Sequence, residues 1–272
     1  MRFFVHGIFL FDAVVTSYSA LGSLPPTILR PTGVMKFLPW RVYDALQTQG
    51  GMLTLKTLML LSLLLSTAGF LTAISTKTSL LLVLFYQGLL RSFGHFNHDE
   101  MIAIYFLVVL AFTPCGDAFS IDSRFAKTKS QPPAFAYAYP LLLMQLLLAW
   151  VYFSSALIKL RVAGWKYLSA DNLPALAIFH SLDNLHDTAF RGAFWLPQVR
   201  EYLPYAVGFI LVWELLFPLA IFFRRLRWLI LAIGFVFHIA TVPLMNIGFP
   251  HQLLMYVVFF NWDRLKPLKS RI

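Results

Sequence analysis

Tyr152, Ser155 and Lys159 stand three and four residues apart in the otherwise apolar stretch from Pro140 to Leu160. That spacing places all three on one face of a helix, turned toward protein rather than lipid. A lysine amine taken out of water loses the stabilisation of its charged form, and a neutral amine can accept a proton near physiological pH. The other reading is a lysine whose stem snorkels to the headgroups, and the sequence leaves both open. Glu214 lies about midway along a second apolar stretch, Tyr202 to Phe223, where a carboxyl has to be protonated or paired with a lysine or histidine. It anchors the bundle or tunes a site. His238 sits inside a third stretch, Trp228 to Met245, with Thr241 one turn on. An imidazole there needs a partner, either as a hydrogen bond between helices or as part of a reaction. His98, flanked by Asn97 and Asp99, precedes the apolar run from Met101 to Thr113. It reads as a proton relay or as a solvated helix start, since Asp and Asn are favoured near helix N-termini.

Metal chemistry has less support. His180, Asp183 and Asp187 share a helical face with His186 nearby, and these residue types can bind metals. The solvated face of an amphipathic helix explains them without one, so no metal is expected. Cys115 is the single cysteine, which excludes an intrachain disulfide and any multi-cysteine zinc or iron-sulfur site. Between Pro114 and Gly116 it reads as part of a turn, and no role is assigned to it.

The elements that position these groups must live in lipid. Of 272 residues 59% are hydrophobic and only 12% charged, with mean hydropathy +0.71, against roughly 25% charged in an ordinary soluble domain. A bilayer core about 30 Å thick takes roughly 20 apolar residues per helix, so the chain has room for about seven or eight spans joined by short loops. Expected spans are Met1 to Leu24, Leu53 to Ile74, Leu80 to Leu90 after a polar turn at Ser75 to Ser79, and Met101 to Thr113. Pro140 to Leu160, Tyr202 to Phe223, Trp228 to Met245 and Phe249 to Trp262 follow. Pro114 to Pro133 is a loop, and Leu173 to Phe190 an amphipathic helix lying on the interface. The fold class is thus an all-α polytopic membrane bundle, a single domain over residues 1–272 with no separate soluble part.

The net charge of +10 is spread in short basic clusters between apolar runs, which suits headgroups and topology rather than nucleic acid. Arg224, Arg225 and Arg227 share a side with the tail from Arg264 to Arg271, while Asn246 to Pro250 carries no basic residue. Both termini are therefore expected in the cytoplasm of a cell bounded by this membrane, with His98, Lys159 and His238 toward the outer leaflet.

Three blocks resemble the horizontally transferred transmembrane domain family, which includes the vitamin K-dependent gamma-carboxylase. Asn97 and His98, the apolar run through Phe112 and then Phe119-Ser120-Ile121-Asp122 form the first. Tyr152-Phe153-Ser154-Ser155-Ala156-Leu157-Ile158-Lys159-Leu160 with Trp165 forms the second, and Gly234-Phe235-Val236-Phe237-His238 with Gly248-Phe249 the third. By that resemblance Lys159 falls on the lysine that deprotonates vitamin K hydroquinone, and His98 matches a histidine associated with the carboxylase active site. The similarity covers only the membrane part of the animal enzyme, without the lumenal domain that helps to bind its protein substrate. It implies catalytic Lys159, His98 and His238, and a reduced isoprenoid quinone held by Tyr152, Ser155, Glu214 and Asp99. Expected partners are the bilayer, the quinol and a peptide or small protein substrate. The rival function is a non-catalytic membrane partner in a peptide maturation, export or immunity system.

Overall fold

The computed structural model describes residues 1–18, 20–94, 99–125, 132–183 and 192–262. His98, Asn97, His186 and Asp187 lie outside them, and the side chain of Asp183 is likewise not described. The described residues contain α-helices and short 3₁₀ turns and no β-strand. They form two compact units, Met1–Met144 and Gln145–Ile272.

In the first unit, α1 (Arg2–Val15) packs on α3 (Gln49–Ala68), α3 on α4 (Thr72–Ser92) and α4 on α5 (Met101–Ala111). The short α2 (Trp40–Leu46) leads into α3, and α6 (Ile121–Phe125) follows α5. The expected span from Leu53 to Ile74 is corrected, because α3 starts earlier and stops at Gly69. There φ is +77° and the Gly69 amide donates back to the carbonyls of Leu65 and Ser66, a C-terminal cap that only glycine adopts freely. A β-carbon at Gly69 would also sit 2.5 Å from the guanidinium of Arg2. That guanidinium donates to the carbonyls of Ser66, Thr67, Cys115 and Phe119, closing the helix end with a cation.

The polar turn expected at Ser75 to Ser79 is also corrected, since it is the first part of α4. Ser75, Thr76 and Ser79 donate their hydroxyls to the carbonyls of Phe70, Thr72 and Thr76, so the helix satisfies them itself. Ser79 also receives the Ser66 hydroxyl at 3.2 Å, with both serines buried between α3 and α4, as small polar residues between membrane helices do. Asp122 supplies the missing start of α4, accepting from the amides of Leu71 and Thr72 and the Thr72 hydroxyl at 2.6–2.9 Å.

The long α7 (Phe135–Ala163) begins before Pro140, its sixth residue, which contributes no amide to the helix. The second unit then has α8 (Asn172–Asp183), α9 (Leu203–Leu216), α10 (Leu219–Phe222), α11 (Arg224–Met245) and α12 (Pro250–Met255). The single span expected from Tyr202 to Phe223 is broken at Pro218, so Glu214 stands in the last turn of α9 rather than mid-span. The basic cluster Arg224, Arg225 and Arg227, expected between two apolar runs, is the first turn of α11, and Arg227 donates to the carbonyls of Ala220 and Ile221 in α10. Phe249 to Trp262 is not one helix but α12 followed by a 3₁₀ turn over Tyr256–Phe259.

By length and composition, four helices among the described residues can cross a membrane: α3, α4, α7 with its continuation to Leu168, and α11. Their outward faces are apolar, as Leu58, Leu61, Leu81, Ile158, Leu229 and Val236 illustrate. The chain is a helical membrane protein.

Candidate functional site

Within the second unit, the face of α7 read from the sequence is the face that meets α9 and α11. Lys159 Nζ donates to both carboxylate oxygens of Glu214, at 2.5 and 2.7 Å. Ser155 Oγ adds a long contact to Glu214 Oε1 at 3.4 Å. The pair is lopsided: the Glu214 side chain is 4% exposed and that of Lys159 is 25%. The carboxylate is thus committed to the protein interior, while the amine reaches the surface beside the Tyr167 ring, 5.7 Å from its centroid.

One to two turns before Lys159 along α7, Tyr152 is the hub of an aromatic cluster. Its ring stacks on Phe217 at 4.1 Å and meets Trp213 edge-on at 5.0 Å. Its hydroxyl is 2.6 Å from His238 Nε2 and 2.8 Å from the hydroxyl of Tyr256. Trp213 is fixed in turn by donating Nε1–H to the carbonyl of Ile230 at 2.8 Å. Gly234 makes this packing possible, since a β-carbon there would strike the Tyr256 hydroxyl and stand 2.6 Å from the Trp213 ring. His238 is 2% exposed and lies against Phe249, with ring centroids 4.9 Å apart. Its backbone carbonyl accepts from the Thr241 hydroxyl, which also bonds the Ile247 carbonyl and ties down the end of α11.

The structure therefore brings together Tyr152, Ser155, Lys159, Glu214 and His238. Asp99 is buried in the first unit, beside the turn that opens α5, where the side chain of its neighbour Glu100 accepts from Nε2 of the Gln87 side chain. The predicted role of His98 falls outside the described residues. Sequence reasoning missed Tyr256, Trp213 and Phe217. Tyr256 sits 104 residues from its partner Tyr152 in a short 3₁₀ turn, where no helical periodicity signals an inward face. Trp213 and Phe217 flank Glu214 at spacings of one and three, so a helical wheel centred on that carboxylate would have found Phe217. No group of three or more His, Cys, Asp or Glu that could hold a metal occurs among the described residues.

Curated proteins and solved structures gave no match to this chain. The profile of the HTTM domain matches residues 2–263, which contain all three sequence blocks and every residue of the cluster just described. With nearly its whole length inside that match, the chain belongs to the HTTM domain family of membrane proteins.

Proposed function

We propose that the protein is a membrane enzyme, or the membrane component of one, that acts on a reduced isoprenoid quinone with Lys159 as the base. The observation that carries the reading is the Lys159–Glu214 pair, bidentate, with the carboxylate buried and the amine surfacing. As an ammonium ion Lys159 cannot take a proton. At 2.5–2.7 Å it can pass one to Glu214, and in a medium of low dielectric the neutral pair escapes the desolvation cost of two charges. Lys159 is then a free amine, able to accept a proton from a phenolic hydroxyl presented at its exposed end. Glu214 holds the first proton, Ser155 steadies the carboxylate, and His238 and His98 are the remaining polar groups assigned to the reaction.

The residues fit such a group: a partly exposed amine, the Tyr167 ring beside it, and a buried histidine nitrogen with no partner among the described residues. When bound, the quinol supplies an acidic hydroxyl and reducing equivalents. Tyr152 is fully enclosed by aromatic rings, so its part in holding a quinol is indirect. The basic start of α11 and the basic tail support a cytoplasmic placement of both termini, with Lys159 toward the opposite face.

A second reading has its own support. Both oxygens of Glu214 are already spent on Lys159, which is how an ion pair that only fixes helix packing is built. In that case the protein is a partner in peptide maturation, export or immunity. The deciding experiment compares quinol binding and oxidation by the purified protein with those of Lys159→Ala, and of Lys56→Ala as a control for general damage. Bound quinone with turnover lost only in Lys159→Ala supports the enzyme. Absence of quinone binding, with wild type and both variants alike, supports the partner.

A further inference from the structure

His238 is buried at 2% exposure, and its Nδ1 has no hydrogen-bond partner among the described residues. The contrast with His6 in α1 is informative. His6 is equally buried and lies with Nδ1 3.1 Å from the carbonyl of Arg2, four residues back, so its Nδ1–H is spent on its own helix and the nitrogen left over, Nε2, is a bare acceptor. His238 spends only Nε2, on the hydroxyl of Tyr152.

The proton order along Tyr256, Tyr152 and His238 decides what Nδ1 offers. In one order Tyr256 donates to Tyr152, and Tyr152 donates to a bare Nε2. Each phenol then has an acceptor, and one donor, Nδ1–H, is left over. In the other order Nε2–H donates to Tyr152 and Tyr152 to Tyr256. The Tyr256 O–H is then the donor left over and Nδ1 is a bare acceptor, so each order leaves one donor unmatched, and the hydrogen-bond lengths separate them. The 2.6 Å between the Tyr152 hydroxyl and Nε2 favours the first order, since it suits an O–H donor, whereas N–H donors centre near 2.9–3.0 Å.

We infer that Tyr152 is a positioning residue that holds His238 in the Nδ1–H tautomer, so that His238 offers a buried donor to the oxygen of an apolar ligand. Phe237 and Phe249, at 5.0 and 4.9 Å from the imidazole, give that ligand an aromatic surround. Taking the oxygen to be that of a quinol rests on the reading above, whereas the tautomer does not.

The test is nitrogen NMR of the full chain, labelled with ¹⁵N-histidine and held in lipid nanodiscs, with the His238 signals assigned from His238→Gln. Wild type should show a protonated Nδ1 and a bare Nε2. Tyr152→Phe, which removes only the hydroxyl, should lose that preference, whereas Tyr256→Phe should keep it. A bare Nδ1 in wild type overturns the inference, as does an unchanged tautomer in Tyr152→Phe. Should Tyr152→Phe fail to fold, the wild-type spectrum alone decides. Menadiol, a reduced naphthoquinone, added without air should shift the Nδ1 signal and bind about fivefold more weakly to Tyr152→Phe, the scale of one hydrogen bond. If menadiol leaves Nδ1 unmoved in a protein with the stated tautomer, the quinol reading falls and the role of Tyr152 stands.

Discussion

Replacing Lys159 with alanine strands a buried carboxylate, and replacing Glu214 with glutamine strands an amine that can still reach the surface. The first substitution should therefore be the more damaging, by up to about 3 kcal/mol, the low end for breaking a buried pair. The double variant Lys159→Met/Glu214→Leu, which removes both charges, should recover most of the loss; unfolding in mixed detergent micelles measures all three. Asp171 and Arg200 form an equally short pair, at 2.5 Å, but with both side chains more than half exposed. Hydrogen bonding to Arg200 holds the Asp171 carboxyl below its ordinary range. Water and salt take back most of such an attraction, so Arg200→Ala should leave the unfolding midpoint unchanged. What the sequence disclosed here was chemistry on a single helix: Tyr152, Ser155 and Lys159 shared a face because a helix repeats every 3.6 residues. That Lys159 selects Glu214, and that Tyr152 joins His238 to Tyr256, depends on which helices touch, and no local spacing carries that information.

At the scale of the element, the helix ends were the least legible. Hydroxyls at Ser75, Thr76 and Ser79 look like a turn until their acceptors are known to be carbonyls of the same segment. The start of α4 is set by Asp122, fifty residues downstream. Asp122→Ala should cost about 1 kcal/mol, as for loss of an N-cap, read from thermal unfolding. Partial burial pulls the Asp122 carboxyl upward, but bonds from the Thr72 hydroxyl and the amides of Thr72 and Leu71, with Arg2 nearby, outweigh it and hold the carboxyl below its ordinary value. A depressed value in the folded state means that the contribution is complete above the unfolded value, about 3.9, and is lost as the pH falls through the folded one. The stability gap between wild type and Asp122→Ala should accordingly be flat from neutral pH to about pH 4 and close below it. Gly69→Ala should destabilise by more than the cap alone, because the new methyl meets both a positive φ and the Arg2 guanidinium.

For the whole molecule, composition alone required lipid as the solvent, and two of the three short blocks that disclosed the family lie on α7 and α11, the helices that carry Lys159 and His238. The topology can be read with a label the protein already carries. Cys115 is its single cysteine, half-buried in the turn after α5, with burial pushing its thiol above the ordinary value. An impermeant maleimide should leave it unlabelled in intact cells and label it in inverted vesicles, faster as the pH is raised. Labelling from the outside of intact cells would reverse the proposed orientation of the termini.

The clamp at Arg2 bears on how the protein is made. Its acceptors at Ser66, Cys115 and Phe119 lie 64, 113 and 117 residues further along the chain. During synthesis a guanidinium is therefore exposed while α3 and α4 are still being threaded into the bilayer, and it rests most cheaply among the lipid headgroups. Only when the segment after α5 emerges can the first helix lock. Ribosome-bound chains arrested before and after that segment should differ abruptly in how readily α1 is extracted or cleaved, which would make residue 119 a checkpoint in biogenesis.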